Sequence, residues 1–597
     1  MAYQVDEELE AEIAVIGGGT GGTAAALRAA RLGHSVILTE ETDWIGGQLT
    51  AQGVSALDEH RFIEQFGGTA TYYELREGIR QYYRTHYRLT PEAAASPHLN
   101  PGNGWVSRLC FEPRVGVEVL RQMLAPSVEA GKARILLETV PVAAETKGDR
   151  IEAIVVRGPD NRLTRIRAAF FLDATELGDL LPLAGVEHVV GAESREETGE
   201  PDAPEEANPE WAQSFTFPFA VELCPGGDFT IPRPEGYEHF RETQPYTFTV
   251  DYLPPRGSVT YRMFDTAPGA SGPFWTYRRL IDRANFDDPA FPNDIAMINW
   301  PGNDYAGGNL ANRDAAGRAE MLRQGRLLSL GFLYWLQTEA PRDDGGTGYP
   351  ELRLRPDIMG TAHGLSKYPY IREARRIRAL KTVAQTEIAA DSNPGARAVF
   401  FPDSVGIGLY GIDIHACAGN QPQVILGTRP FQIPLGALIP IRVENLLAAA
   451  KNIGTTHITN GAYRLHPVEW NIGEAAGALA AYCLSTGTLP HRVATIEEEQ
   501  RQFQRLLVAC GVPLYWYEDV PLSHPAFAAV QWLAATGAWP GHPEHLRFDP
   551  DAPLDPDELV NELPREVSAR LVTLHEQPGL TRAEFALRLA EEESFLA

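Results

Sequence analysis

Glu12-Ile-Ala-Val-Ile-Gly17-Gly-Gly19-Thr-Gly-Gly22 decides the fold, and Glu40 completes the pattern. A short apolar run, Ile13 to Ile16, leads straight into a G-x-G-x-x-G loop. Small residues from Thr23 to Leu32 follow at helical spacing and stop at Gly33. A second apolar run, Ser35-Val-Ile-Leu38, ends at Thr39-Glu40. Strand, glycine loop, helix, strand and acid in that order form a βαβ dinucleotide-binding unit. Gly17 allows the tight turn out of the strand. Gly19 lets backbone approach a pyrophosphate, and Gly22 lets the helix pack closely on the sheet. The helix N-terminus offers free N–H groups and a partial positive charge to phosphates. Glu40 lies where an acidic side chain accepts hydrogen bonds from a ribose. Taken alone, the unit admits NAD, NADP or FAD.

Reading outward, Trp44-Ile45 precedes a glycine doublet, Gly46-Gly47, and Gln48. At this distance from Glu40 the doublet gives a flavin nucleotide access to backbone N–H groups, which narrows the choice to FAD. Residues 112 to 125 have helical spacing. Ala133–Leu137, Thr139–Ala143, Arg150–Val156 and Ala168–Leu172 read as strands, with a turn at Lys147-Gly-Asp149. Tyr370 to Ala390 has Ile371, Ala374, Ile377, Leu380 and Val383 on one face, which predicts a helix. On it Arg372 and Arg375 fall one turn apart and could clamp a carboxylate. Leu446–Ala450 reads as a strand and Ile472–Leu484 as an Ala/Gly-rich helix. Gly406-Ile-Gly408-Leu-Tyr-Gly411 is a second literal G-x-G-x-x-G, but Ile412-Asp-Ile-His-Ala-Cys and Asn420-Gln-Pro follow it rather than a helix pattern. It therefore reads as a strand or loop and not as an NAD(P)H unit.

The glycines, Glu40 and the Gly46-Gly47 doublet resemble the glutathione reductase-like superfamily of FAD enzymes. Further stretches resemble the FAD-dependent oxidoreductase family, a distant relative of fumarate reductase flavoproteins. These are Phe170–Asp179, Pro369–Ile377, Asp403–Gly406 with Gly411–His415, Ile433–Pro440, and Asn445–Asn452 continuing through Arg464 to Gly473–Gly477. The resemblance implies an α/β fold with a Rossmann-like FAD-binding domain of the glutathione reductase type. An inserted mixed α+β substrate domain and a small helical C-terminal module would complete it. It implies Gly17, Gly19 and Gly22 at the pyrophosphate and Glu40 at the ribose. Gly46, Gly47 and Gln48 would lie on the flavin side, and the Val140 backbone at the adenine. Ala174 and Thr175 would run beside the FAD, and Asn452 would face the ribityl and phosphate. Ile472 and Gly473, opening the last helix, would point N–H groups at the flavin pyrimidine edge, where reduction places negative charge. The family's usual Gly-Arg after the Leu-Leu strand is Ala450-Lys451 here.

Flavin dehydrogenation needs a base for an O–H or N–H proton while hydride leaves carbon. His415, two residues after Asp413 in an apolar strand, and His466, between Arg464 and Pro467, are the candidates; alternation puts Asp413 and His415 on one side. Arg464 and Arg372 are the accompanying cations. Asn299-Trp-Pro-Gly-Asn-Asp-Tyr305 is a polar, aromatic loop that could line a substrate pocket.

The chain has 597 residues, 44 % of them hydrophobic, and a formal net charge of −27, which argues against nucleic acid or an anionic membrane as partner. Eight acids lie between Glu193 and Glu210, read as a solvated loop. Five scattered cysteines without C-x-x-C exclude a dithiol redox pair and fit a reducing compartment. With neither an apolar leader nor a membrane-length apolar run, a cytoplasmic enzyme is expected. Its partners would be a small-molecule substrate, an electron acceptor (oxygen or a redox protein) and a second copy in a homo-oligomer. No metal is expected. The expected domains are 1–58, 105–200 and 431–492 for FAD, 59–104 and 201–430 for substrate, and 493–597 as a separate helical tail. That tail, through Tyr517–Val520, Ala526–Gly537, Phe548–Asp551 and Leu580–Phe585, resembles an S-layer homology module. In function the whole reads as hydride transfer between a small or medium polar organic substrate and flavin N5. Reduction of an unsaturated carboxylic acid, or a non-catalytic wall-associated or scaffold flavoprotein, are the alternatives.

Overall fold

The computed structural model describes residues 4–252, 257–418, 424–555, 563 and 579–591. Its centre is a seven-stranded sheet. Strands β1 (Glu7–Ile16), β2 (Val36–Thr39), β3 (Ala133–Leu136) and β6 (Leu163–Asp173) run parallel in the order β3-β2-β1-β6. β4 (Val140–Lys147) and β5 (Arg150–Arg157) extend it as an antiparallel meander on β6. β7 (Leu446–Ala448) returns from far along the chain to pair, parallel, with the last residues of β6. Ile13–Ile16 sit between β2 and β6 with both faces covered, which is why the run is continuously apolar rather than alternating.

Helix α1 (Thr20–Arg31) starts directly after the glycine loop, and α2 (Pro113–Glu129) covers the neighbouring strands. Helix α3 begins at His466 and runs to Thr486, not from Ile472 as its small residues suggest. The composition marks a helix crossing instead of a helix start. A Cβ on Gly473 would lie 1.9 Å from the Gly21 carbonyl oxygen, and one on Gly477 would lie 2.3 Å from that of Ala25. Only glycine allows α1 and α3 to touch backbone to backbone.

A second buried cluster surrounds a four-stranded antiparallel sheet formed by Arg279–Ile281, Ile295–Ile298, Phe219–Leu223 and Leu352–Leu354. The long helix Ala315–Thr338 covers it, with Phe332, Leu333 and Leu336 fully buried.

Three expectations are corrected here. Tyr370–Ala390 is not a helix. Tyr370 N donates to Thr216 O, Ile377 N to Asn452 O and Leu380 N to Ile439 O, so the segment is stitched to distant chain; Gln385–Ile388 makes one helical turn. Tyr370 to Ile377 are all buried, whereas an amphipathic surface helix would leave a polar face in water. Second, the acidic run at 193–210 is partly internal. Glu193 pairs with Arg376 at 3.0 Å, and the buried Glu200 accepts from Gln385 N and Thr456 Oγ1. Third, the chain beyond 495 is not a detached tail. Leu507, Trp516, Trp532 and Phe585 belong to the same buried core as the central sheet, and the Trp516 ring packs 4.9 Å from His60 and 5.5 Å from Phe66. Residues 556–562, 564–578 and 592–597 of the expected module lie outside the described residues, as does Asn420-Gln-Pro. The Gly406 stretch forms a strand, Ser404–Gly408. Among the described residues no helix is long and apolar enough to cross a membrane.

Candidate functional site

The parallel strands end at a cleft of about 510 Å³. Gly17 and Gly19, Glu40, Gly47, Val140, and Ala174 with Thr175 line it, so the ends of β1, β2, β4 and β6 converge on one groove. Ala51, Gln52 and Tyr368 form its far end. Gly17 has φ +101°, and a Cβ there would lie 2.2 Å from the Ala174 carbonyl oxygen. The chain can turn there only as glycine. A Cβ on Gly22 would meet Gly17 O at 1.9 Å, so Gly22 closes the turn behind the groove instead of lining it. Gly46, at φ +107°, donates its N–H to Gly18 O at 2.7 Å, and Thr20 Oγ1 donates to Gly46 O. The doublet is thereby tied to the glycine loop.

Glu40 accepts from Gly18 N through one oxygen and from Thr42 N and Oγ1 through the other. Burial pushes its carboxyl up to about 8, against the lowering effect of Thr42. Burial likewise raises Asp173, at the end of β6, to about 7. Asn452 bonds Ala450 N and Asp173 O, which fastens the turn after β7 to β6. Ile472 and Gly473 are the seventh and eighth residues of α3. Their N–H groups fall within the helical ladder, and the free ones lie at the first residues of the helix. Their expected contact with a flavin edge is therefore corrected to the α1–α3 crossing.

Three charges meet at the glycine loop. The buried Lys451 ammonium contacts Glu176 at 2.7 Å and Glu469 at 3.3 Å. Burial opposes its charge, but the two carboxylates hold its pKa above the ordinary lysine value. Glu176 lies across Gly19 and Gly47, so that a Cβ on either would meet its Oε1 within 2.7 Å. Gln48 donates through Nε2 to Arg464 O and to Glu469. Its Oε1, like Gln52 Nε2, is buried without a protein partner. These orphaned groups, the glycine cradle and the strand ends fit a flavin dinucleotide lying along the groove.

A second cavity, of about 230 Å³, opens beyond the Tyr368–Arg372 segment. Tyr368 faces the cleft, whereas Tyr370 and Arg372 line the cavity. Tyr368 N donates to Ala51 O and Ile371 N to Gln52 Oε1, so the segment is clipped to the end of the cleft. The cavity brings together His415, Asp413, Arg372 and Arg464 with Asn299 and Trp300 of the aromatic loop. His415 Nδ1 lies 2.6 Å from Asp304 Oδ2, and its Nε2 lies 3.4 Å from Asp413 Oδ2. Asp413 and His415 thus share one side of their strand, as alternation requires. Burial alone would raise Asp304, but Arg372 and His415 overcome it and hold the carboxyl below its ordinary value. Asp413 is lowered in the same way, burial being outweighed by His415 and Arg464.

His466 is not in this cavity. Its Nδ1 accepts from Asp58 N at 3.0 Å and its Nε2 donates to Val54 O at 3.0 Å. With both ring nitrogens engaged and its pKa lowered by burial to about 4, it pins the 54–58 loop and has no nitrogen left to take a substrate proton. Arg372 and Arg375 do not clamp one ligand either: Arg372 pairs with Asp304 and Arg375 with Asp179. Sequence reading missed Asp58, Trp105, Arg278, Asp304 and Tyr410. Only Asp304 had a signal, its place in the aromatic loop.

A parallel sheet with a glycine loop at its strand ends defines a Rossmann-type dinucleotide-dependent protein. The family model for FAD dependent oxidoreductases matches residues 12–507, and the chain belongs to that family and binds FAD. No curated protein sequence matches. Among solved structures, a geranylgeranyl bacteriochlorophyll reductase-like protein from Thermoplasma acidophilum is similar over 98 % of this chain and 96 % of its own, at 11 % identity and TM-score 0.31. The myxobacterial chondrochloren halogenase CndH matches over 98 % and 97 %, at 12 % identity and TM-score 0.28. L-proline dehydrogenase from P. horikoshii matches over 32 % of this chain at 19 % identity and TM-score 0.16, and this chain covers 25 % of that protein's length. None of these likenesses bears on what this chain acts on.

Proposed function

We propose that the protein moves hydride between a small or medium polar organic substrate, held in the aromatic cavity, and flavin N5 of FAD held in the cleft. One observation carries the reading. A histidine oriented by a buried aspartate lines a cavity whose wall, Tyr368–Arg372, also contributes Tyr368 to the cofactor cleft. FAD supplies the two-electron acceptor. The chain supplies the rest. Asp304 fixes the His415 ring through Nδ1–H, and Nε2, which faces Asp413 at 3.4 Å, would have to exchange that carboxylate for the substrate to take an O–H proton as hydride departs. Arg372 holds Asp304 in turn, and Arg464 holds Asp413.

Gly17, Gly19, Gly46, Gly47, Ala174 and Thr175 would cradle the dinucleotide, with Glu40 at the ribose and Val140 at the adenine. A pyrophosphate on the glycine loop would need the space Glu176 now crosses; Glu176 would have to turn away, leaving Lys451 paired with Glu469 alone. The division into FAD and substrate domains is proposed although the larger buried cluster runs through both, and the chain beyond 493 serves as a packing module on residues 60–66. Reduction of an unsaturated carboxylic acid loses its support, because each arginine of the cavity is already paired.

The test is anaerobic mixing of the yellow holoenzyme with a panel of alcohols, amines and acids, scored by loss of flavin absorbance. Bleaching by one class, lost in His415→Ala while FAD stays bound, is expected. Unchanged bleaching in that variant removes His415 as the base.

A further inference from the structure

The cavity's charges are matched one for one. Arg278 contacts Asp58 at 2.8 Å, Arg372 contacts Asp304 at 3.0 Å, and Arg464 contacts Asp413 at 3.3 Å. The terminal nitrogens of all three guanidinium groups already donate to the protein: Arg278 to Ala56 O and Asp58, Arg372 to Ser214 O and Asp304, Arg464 to the Tyr370 hydroxyl and Asp413 O. Gripping a carboxylate takes two parallel N–H groups from one guanidinium. Here each arginine keeps only its Nε without a partner, and all three are buried. The cavity is thus lined by charges that are already paired, with Asp58 and Asp413 as its carboxylates and no uncompensated arginine.

Its walls are aromatic. The Tyr277 ring lies 4.9 Å from Trp105 and 5.5 Å from Trp300, and Tyr370 and Tyr410 complete the lining. At about 230 Å³ the space falls below the roughly 300–1,000 Å³ of drug-sized pockets. The ligand chemistry that matches this surface is a saturated ring with apolar C–H faces for the aromatic planes. Around its edge run hydroxyls that donate to Asp58 and Asp413 and exchange hydrogen bonds with the tyrosines of the wall.

We infer that the substrate is a neutral ring polyol, a monosaccharide or cyclitol, oxidised at one carbinol carbon. This rests on the hydride-transfer reading above. The hydroxyl proton goes to His415 Nε2, the carbinol hydride goes to FAD, and a ring ketone or lactone is left, so two electrons and one proton leave as hydride and the second proton stays on His415.

Two measurements on one panel separate the claims. The panel is D-glucose, D-galactose, D-mannose and myo-inositol against D-glucuronate, succinate and L-proline. Wild-type holoenzyme is scored by anaerobic bleaching, and the His415→Ala holoenzyme, whose turnover should be slowed about 10²–10⁴-fold, by titration calorimetry. A neutral polyol that bleaches the wild type and binds the variant at least about tenfold more tightly than any acid of the panel supports both readings; that ratio corresponds to about 1.4 kcal/mol. Polyol binding without bleaching keeps the ligand class and overturns the hydride reading. Tighter binding of the acids, or no polyol binding, overturns the ligand class, and bleaching by an acid then leaves hydride transfer standing. Asp58→Asn, which uncovers Arg278, should move the preference about tenfold towards D-glucuronate. The wild-type panel decides the class even where that variant does not fold.

Discussion

The two cavities on either side of Tyr368–Arg372 are built from different material. The cleft has a backbone floor, a glycine turn and four strand ends, rimmed by charged side chains such as Glu41, Asp179, Arg318 and Arg375. The aromatic cavity is made of side chains from segments hundreds of residues apart, Asp58 and Arg278 on one side and His415 and Arg464 on the other. A backbone site is destroyed by adding an atom and is indifferent to most side-chain exchanges. A side-chain site is rewritten by exchanging one group and leaves the frame intact.

The sharpest break is Gly17→Ala. Its Cβ meets the Ala174 carbonyl at 2.2 Å in a left-handed conformation, so the protein should purify colourless, with no 450 nm absorbance. Full flavin retention would show that the cleft is less rigid than its strand ends suggest. Next, His415→Ala should leave the flavin spectrum untouched and slow substrate bleaching by about 10²–10⁴-fold, the range of a lost general base. If that variant lost its flavin, the two sites would not be separable.

His466→Gln probes the frame behind both. Burial lowers the folded-state pKa of His466 to about 4 from an ordinary 6.5. Between those values the unfolded chain binds the extra proton, so stability is complete above pH 6.5 and falls as pH drops towards 4. The full contribution is about 3 kcal/mol. Glutamine can accept from Asp58 N and donate to Val54 O without titrating, so its melting temperature should fall less steeply over that window. An identical slope would remove His466 from the acid response. The smallest effect belongs to Glu176→Gln, whose carboxylate lies across Gly19 and Gly47. With water screening the pair, removing a like charge near a pyrophosphate is worth about 1 kcal/mol, so FAD should bind about fivefold more tightly, read by flavin fluorescence quenching. Weaker binding would mean that Glu176 supports the cofactor instead of displacing it.

The same contrast governs what the sequence discloses. The glycine loop, Glu40 and the Gly46-Gly47 doublet stand within 36 residues, and their spacing is the geometry of a turn and a helix start. The cleft was therefore readable. His415 was also readable, because strand alternation with Asp413 is local. Arg278 and Asp58 were not, since no local pattern links two residues joined only by the packing of distant loops. Arg372 was misread because Ile371, Ala374 and Ile377 imitate helical periodicity in a segment buried on every side. His466 was misread because neighbouring residues say nothing of whether both ring nitrogens are engaged. Gly473 was misread because small residues serve a helix crossing as well as they serve a phosphate.

Tyr368 to Arg372 has a further consequence. One short extended segment, clipped to Ala51 and Gln52, is the wall of both cavities, so whatever orders it for one ligand has ordered it for the other. Thermodynamic linkage makes any coupling between them reciprocal: if FAD tightens substrate binding through this segment, substrate tightens FAD by the same factor. A ligand that does not react, titrated against holo- and apoprotein, would measure that factor. In a cell short of flavin, substrate itself would then act as a retention signal for the cofactor.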